Sequence, residues 1–222
     1  MPVAVHLRNE IESCVYRDAI IQAINSGLGD EAIMCSGFFQ ENFKGSAYQA
    51  SAEIGLISGL VKHNVALETF GVHNSPWIPS YKQFCSNMRS SGVSLSAWVQ
   101  KGYQWHAKVF ILKKSGSPIF GIIGSSNVTA NAFGVRNKPA KTNDSPNPPN
   151  KFNYEADVYL WESANHAIGS VIAPLMPVER NSLSGLRARY YESDNGGLTV
   201  TQRLRQLEAQ VRGAGTNVAL AF

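Results

Sequence analysis

The sequence predicts an α/β sandwich around a mixed sheet, and three observations carry that expectation. Over the first two-thirds of the chain, segments with apolar residues at helical spacing alternate with short apolar or alternating runs. Two later runs are joined by a short polar link of hairpin length, which brings antiparallel pairing into the same sheet. At 222 residues and 44% hydrophobic side chains, the chain is long and apolar enough to bury a substantial core. No internal repeat is present.

Taken in order, Tyr16 to Leu28 places Ala19, Ile20, Ala23, Ile24 and Leu28 at helical spacing and stops at Gly27 and Gly29. Glu31 to Phe39, with Ile33, Met34, Phe38 and Phe39, is a short apolar run expected to be a buried strand. Ala47 to His63 is expected to be a helix; Gly55 and Gly59 weaken it but allow close packing on a sheet. Val65 to Val72 is a strand, Pro79 to Ser91 a helix, and Val93 to Val99 an alternating strand. Trp105 to Leu112 and Ile119 to Ile123 are strands, and Gly116 and Pro118 in the Lys113–Pro118 link suit a hairpin turn. Asn153 to Trp161 alternates Tyr154, Ala156, Val158 and Leu160 with other residues and is a further strand.

Two stretches break the pattern. Val135 to Lys151 holds four prolines, four asparagines and four basic residues, and is expected to be a long exposed loop. After Pro177 the chain is Arg-rich and polar. There, Val200, Leu204, Leu207 and Val211 form one helical stripe, opened by Thr199 as N-cap with Gln202 three residues on. The expected organisation is a domain over residues 1–177 and a C-terminal extension over 178–222, packed on that domain or on a dimer partner.

The net charge of +4 is unevenly distributed. Residues 1–60 carry 3 basic and 7 acidic side chains, residues 61–151 carry 11 and 2, and residues 152–222 carry 6 and 7. A basic field over the middle of the chain suits a polyanion, although an ordinary solvated surface gives the same count. Cys14, Cys35 and Cys85 are odd in number and lack C-x-x-C spacing, so neither a disulfide framework nor a zinc site is indicated. With no signal-peptide pattern before Asn9 and no run of about 20 apolar residues, the expectation is a cytoplasmic protein with no membrane contact.

The candidate chemistry lies between residues 106 and 127. On a strand, His106 and Lys108 project from one side and Ala107 from the other. The run Ile122-Ile123-Gly124-Ser125-Ser126-Asn127 ends an apolar strand in Gly and small polar residues, which suit a helix start with free N–H groups facing an anion. Gly124 would let backbone approach a ligand. H-x-K or G-S-S-N alone occurs often by chance; both in this order, on two strands of one hairpin, is specific.

Residues His106 to Asn127 resemble the H-x-K-x(4)-D-x(6)-G-S-x-N signature of the phospholipase D superfamily. His106 and Lys108 match its first half and Gly124, Ser125 and Asn127 its second. The helix–strand order before the motif also resembles that fold, a phospholipase D-like α/β/α sandwich around a mixed sheet, over residues 16 to about 176. Two departures stand out. Lys113 occupies the Asp position, and the Lys108–Gly124 gap is four residues longer than in the signature. Variation at the Asp position resembles nucleases and metal-independent restriction endonucleases more than lipid-acting members. The family's Glu beyond the Asn corresponds to Glu155.

The resemblance implies a covalent phosphohistidine on His106, with a second histidine protonating the leaving oxygen and later activating water. It gives Lys108, Ser125 and Asn127 the non-bridging oxygens, without metal or cofactor, and gives Glu155 the imidazole tautomer. Ser126, Gly124 and Trp105 are candidate substrate contacts, with Trp98 and Tyr103 as further flanking aromatics. His6, His63, His73 and His166 lack a Lys two residues on, so the chain holds one half-site. Single-motif members dimerise, which implies an isologous homodimer with one shared site.

Bland readings stand beside these. His106 as a core histidine is disfavoured by Lys108, Ser125 and Asn127 also suit a plain helix cap, and strand aromatics more often belong to the core. The leading expectation is a nuclease, acting on DNA in preference to RNA, as in a restriction or defence system. The alternatives are a phospholipase or phosphatidyltransferase, whose members usually carry two motifs, and a nucleic-acid-binding dimer that has lost catalysis.

Overall fold

The computed structural model describes residues 3–8, 14–72, 74–102, 106–134, 155–176, 184–214 and 216–220. Its principal elements run β1 (Val3–Arg8), α1 (Val15–Asn25), β2 (Glu31–Ser36), α2 (Leu56–Lys62), β3 (Ala66–Val72), α3 (Ile78–Ser90) and β4 (Leu95–Lys101). They continue with β5 (Lys108–Lys114), β6 (Ser117–Gly124), β7 (Glu155–Trp161), α4 (His166–Ile172), β8 (Gly185–Ala188), α5 (Val200–Gly213) and β9 (Thr216–Ala219). Among the described residues the strands form one sheet in the order β8-β1-β7-β6-β5-β2-β3-β4-β9. The pairs β2–β3 and β3–β4 are parallel and the others antiparallel, so the sheet is mixed.

Helices cover both faces. Phe110 and Leu112 of β5 enter a large apolar cluster with α1, α2, α3 and α4, whereas Val109 and Ile111 enter a second cluster with α5. Burial on both faces explains why β5 shows an unbroken apolar run instead of alternation. In α1 the buried residues Val15, Tyr16, Ala19, Ile20, Ala23 and Ile24 make the inward stripe that the 3.6-residue period requires.

The α5 layer is built from local signals. Thr199 Oγ1 accepts the Gln202 N–H at 3.1 Å and Gln202 Oε1 accepts the Thr199 N–H at 2.8 Å, closing a capping box. Val200, Leu204, Leu207 and Val211 form its buried stripe. It lies close over β6: a Cβ on Gly121 would stand 2.3 Å from Leu204 Cδ2. The segment from 184 onward also supplies both edge strands, β8 beside β1 and β9 beside β4.

The structure departs from the sequence expectation at several places. Instead of one helix over 47–63 there is a 3-10 turn, Ala50–Ala52, followed by α2, and Gly55 between them sits at φ 87°. β5 starts at Lys108, not at Trp105. No helix follows Asn127 among residues 128–134. Val128 forms a parallel bridge with Phe39, and the N–H groups of Ala132, Phe133 and Gly134 then converge on the Thr129 carbonyl. The β5–β6 hairpin turns at Ser115 and Gly116, both at positive φ (49° and 75°), as a tight two-residue turn requires. The Val135–Lys151 stretch lies outside the described residues.

Candidate active site

Strand register gathers the site into one row across the sheet. His6 of β1 faces Asp157 of β7, Asp157 faces Gly124 of β6, and Gly124 faces Lys108 of β5. Counting in twos, these positions share the face of Ala4, Tyr159, Ile122 and Phe110, the face covered by α1 to α4. Ser36, two residues after Met34 at the end of β2, extends the row.

Lys108 is the first residue of β5 and only 5% exposed, yet it makes no hydrogen bond or ion pair among the described residues. Burial lowers its pKa from the usual lysine value, while the charges of Glu155, Cys35 and Asp157 act in the opposite sense. Gly37 marks where Lys108 and Asn127 converge: a Cβ there would lie 3.3 Å from Asn127 Oδ1 and 3.9 Å from Lys108 Cε. Asn127 Oδ1 accepts a hydrogen bond from Ser36 Oγ at 3.3 Å, and Ser36 Oγ accepts the Val128 N–H at 3.2 Å. The Asn127 amide oxygen and the Cε end of the Lys108 chain thus lie beside the same glycine.

β7 holds Ser125 and Ser126. Ser125 Oγ donates to Glu155 Oε2 at 2.5 Å and accepts the Ala156 N–H at 3.0 Å, while the Ser125 N–H reaches the Ala156 carbonyl at 3.0 Å. Ser126 Oγ donates to Asp157 Oδ2 at 2.6 Å, and the Ser126 N–H points to Asp157 Oδ1 at 3.3 Å. Ser126 is buried and Ser125 exposed.

His106 is exposed and lies two residues before β5, in a segment that is not strand. It makes no hydrogen bond among the described residues, and the hydrogen bond of Glu155 goes to Ser125 and not to His106. Trp105 and Tyr103 lie outside the described residues. Trp98 is half-buried, and its indole N–H donates to Glu68 at 2.8 Å.

Lys113 belongs to the opposite face. Five residues from Lys108, it falls on the α5 side, where its ammonium bonds Glu31 at 3.0 Å and Glu208 at 3.1 Å. These two carboxylates raise its pKa against the effect of burial. The position where the signature has Asp therefore ties β5 to β2 and α5, away from the row that holds Lys108 and Gly124.

Sequence reasoning missed Asp157, Ser36 and Gly37. Asp157 carried a signal, a charged residue in the buried phase of an alternating strand. Ser36 and Gly37 carried none before the register was known. Among the described residues, no group of three or more His, Cys, Asp or Glu side chains is arranged to hold a metal ion.

Residues 49–166, just over half of the chain and including every matched motif position, match the family model described as the NgoFVII restriction endonuclease N-terminal PLD domain. The chain belongs to this family. Its phospholipase D-like sheet and its His106–Asn127 motif are accordingly features of a superfamily member. Similar solved structures include Nuc, a phospholipase D family member from Salmonella typhimurium, at 18% identity and a TM-score of 0.45, covering 78% of this chain and 90% of that one. TrmBL2, an archaeal chromatin protein, is similar at 11% identity and a TM-score of 0.38, covering 79% and 50%. Yeast tyrosyl-DNA phosphodiesterase is similar at 9% identity and a TM-score of 0.42, covering 72% and 47%. A comparison with curated proteins found no match. No helix among the described residues is long and apolar enough to cross a membrane.

Proposed function

We propose that the chain is a DNA endonuclease that hydrolyses phosphodiester bonds through a phosphohistidine on His106, without a metal, as a homodimer acting in the cytoplasm. The observation that carries this reading is Lys108. A buried ammonium with no anionic partner in contact is costly, and it is placed beside Asn127 on the row that ends at Ser36. A phosphate group supplies the missing counter-charge, and two of its non-bridging oxygens suit Lys108 and the Asn127 amide. Membership in a restriction-endonuclease family makes DNA the substrate of choice.

The chemistry runs in two displacements. A neutral imidazole nitrogen of His106 attacks phosphorus, the P–O bond to the leaving strand breaks, and that oxygen takes a proton from a second imidazole. Water then attacks the P–N bond while the second imidazole accepts its proton, restoring His106. Because the chain holds one such motif, the second imidazole is His106 of the partner subunit. Exposure of His106 leaves it open to both a partner and a substrate. Lys108 and Asn127 spread the developing charge on the non-bridging oxygens.

The test is cleavage in excess EDTA of DNA, RNA and phosphatidylcholine vesicles, beside a His106→Ala variant. DNA cleavage that survives EDTA and vanishes in the variant is expected. Turnover of lipid alone, or DNA binding with no cleavage, would replace the nuclease reading with a lipase or a non-catalytic binder.

A further inference from the structure

We infer that Asp157 is a positioning residue that locks the Gly124–Asn127 turn in the geometry the phosphate site requires; this rests on the nuclease reading above.

Two hydrogen bonds from Ser126 and a close approach to Gly124 fix this carboxylate. Its Oδ2 accepts the Ser126 hydroxyl and its Oδ1 accepts the Ser126 N–H, so side chain and backbone of one residue are both held. It also fills the space that a side chain at position 124 would need: a Cβ on Gly124 would fall 1.9 Å from Asp157 Oδ1 and 2.7 Å from Asp157 Cα. Asp157 is 1% exposed, so it cannot itself meet a substrate phosphate. It sits two register steps from Lys108, with Gly124 between them, and the residue it grips is followed directly by Asn127.

The chemistry of the carboxylate fits this task. Both oxygens of an ionised carboxylate accept, so it satisfies an O–H and an N–H donor at once. An Asn side chain offers a single acceptor oxygen and brings an amide that must find its own partners. Burial is the largest cause that raises the Asp157 carboxyl, to about 6, and the two hydrogen bonds from Ser126 pull against that rise. Above about pH 6 the carboxylate is ionised at a buried place, and among the described residues it is bonded to the turn. Glu155 accepts the Ser125 hydroxyl and the Ala156 carbonyl accepts the Ser125 N–H, so β7 clamps successive residues of the turn, leaving the Asn127 side chain to Ser36. A support that loosens a binding group by about 1 Å costs rate without removing any contact to substrate.

The test compares native protein with Asp157→Asn, Asp157→Ala and Ser126→Ala in single-turnover cleavage of a labelled DNA duplex in EDTA. Affinity for the duplex, melting temperature and amide hydrogen exchange are measured on the same samples. The expected result is a loss in single-turnover rate of roughly 10- to 100-fold with affinity changed less than about threefold. Asp157→Asn should retain more activity than Asp157→Ala, since its oxygen still accepts one of the two Ser126 donors. Exchange at the Ser126 and Asn127 amides should rise at least about tenfold in each variant that folds. Folded variants that cleave within about twofold of native overturn the inference, as does a rate loss that follows only the melting temperature and recovers on cooling. If native protein does not cleave DNA, the nuclease reading fails and exchange alone decides the clamp: faster exchange at 126–127 upholds it and unchanged exchange removes it. Should Asp157→Ala not fold, Asp157→Asn and Ser126→Ala carry the same comparison.

Discussion

The Asp157 carboxylate occupies the space that a side chain on Gly124 would need, its Oδ1 standing 1.9 Å from where a Cβ would be. Gly124→Ala is therefore expected to destabilise the protein by about 2–4 kcal/mol, through overpacking against backbone and displacement of a buried carboxylate. Urea denaturation of both single variants and the double variant Gly124→Ala/Asp157→Ala checks this. The two changes should couple by at least about 1 kcal/mol, and additive losses would show that the contact is not the cause.

The same carboxylate makes a prediction about pH. Its folded pKa of about 6 lies above the ordinary value of 3.8 because burial disfavours the charge. A raised carboxyl pKa contributes stability that is fully present below about pH 4 and is lost as pH rises through about 6. Relative to Asp157→Asn, native protein should lose on the order of 3 kcal/mol of unfolding free energy between pH 4 and pH 7. Parallel stability curves for the two proteins over that range would refute the assignment.

Lys113 allows a direct check on the signature's missing acid. Lys113→Asp restores the family residue but sets a third carboxylate against Glu31 and Glu208. The expected outcome is a loss of about 2–4 kcal/mol with no gain in cleavage rate, because this side chain faces α5 and not the His106–Asn127 motif. A rise in activity without loss of stability would mean that the residue communicates with the site.

Much of this was legible in the sequence, and what was not has identifiable causes. The α1 and α5 stripes and the Thr199 cap are local periodic signals, and each formed a helix. The His106–Asn127 motif was legible because two short patterns sit at the open end of a single hairpin, where Lys108 pairs with Gly124. By contrast, β1, β8 and β9 are short strands that acquire meaning only from their register partners. The helix expected after Asn127 is absent because Val128 commits its backbone sideways, its N–H to Ser36 Oγ and its carbonyl to the Gln40 N–H. Gly124 looked like a place for a ligand; the structure fills its open side with a residue 33 positions later in the chain, a contact no local pattern encodes.

Thr199 tests the α5 layer by itself. Thr199→Ala removes the acceptor of the Gln202 N–H and should cost about 1 kcal/mol by thermal or urea unfolding. Thr199→Ser should recover most of it. A neutral Thr199→Ala would mean that packing of Val200 and Leu204 alone sets the start of the helix.

The central claim is that His106 carries the scission covalently. The most direct measurement is rapid acid-free quenching of DNA cleavage in EDTA, followed by mass spectrometry of the digested protein. A nucleotide adduct on His106 is expected, acid-labile as a phosphoramidate is, and lost in His106→Asn. Cleavage that proceeds with no adduct in native protein, or that persists in His106→Asn, would contradict it.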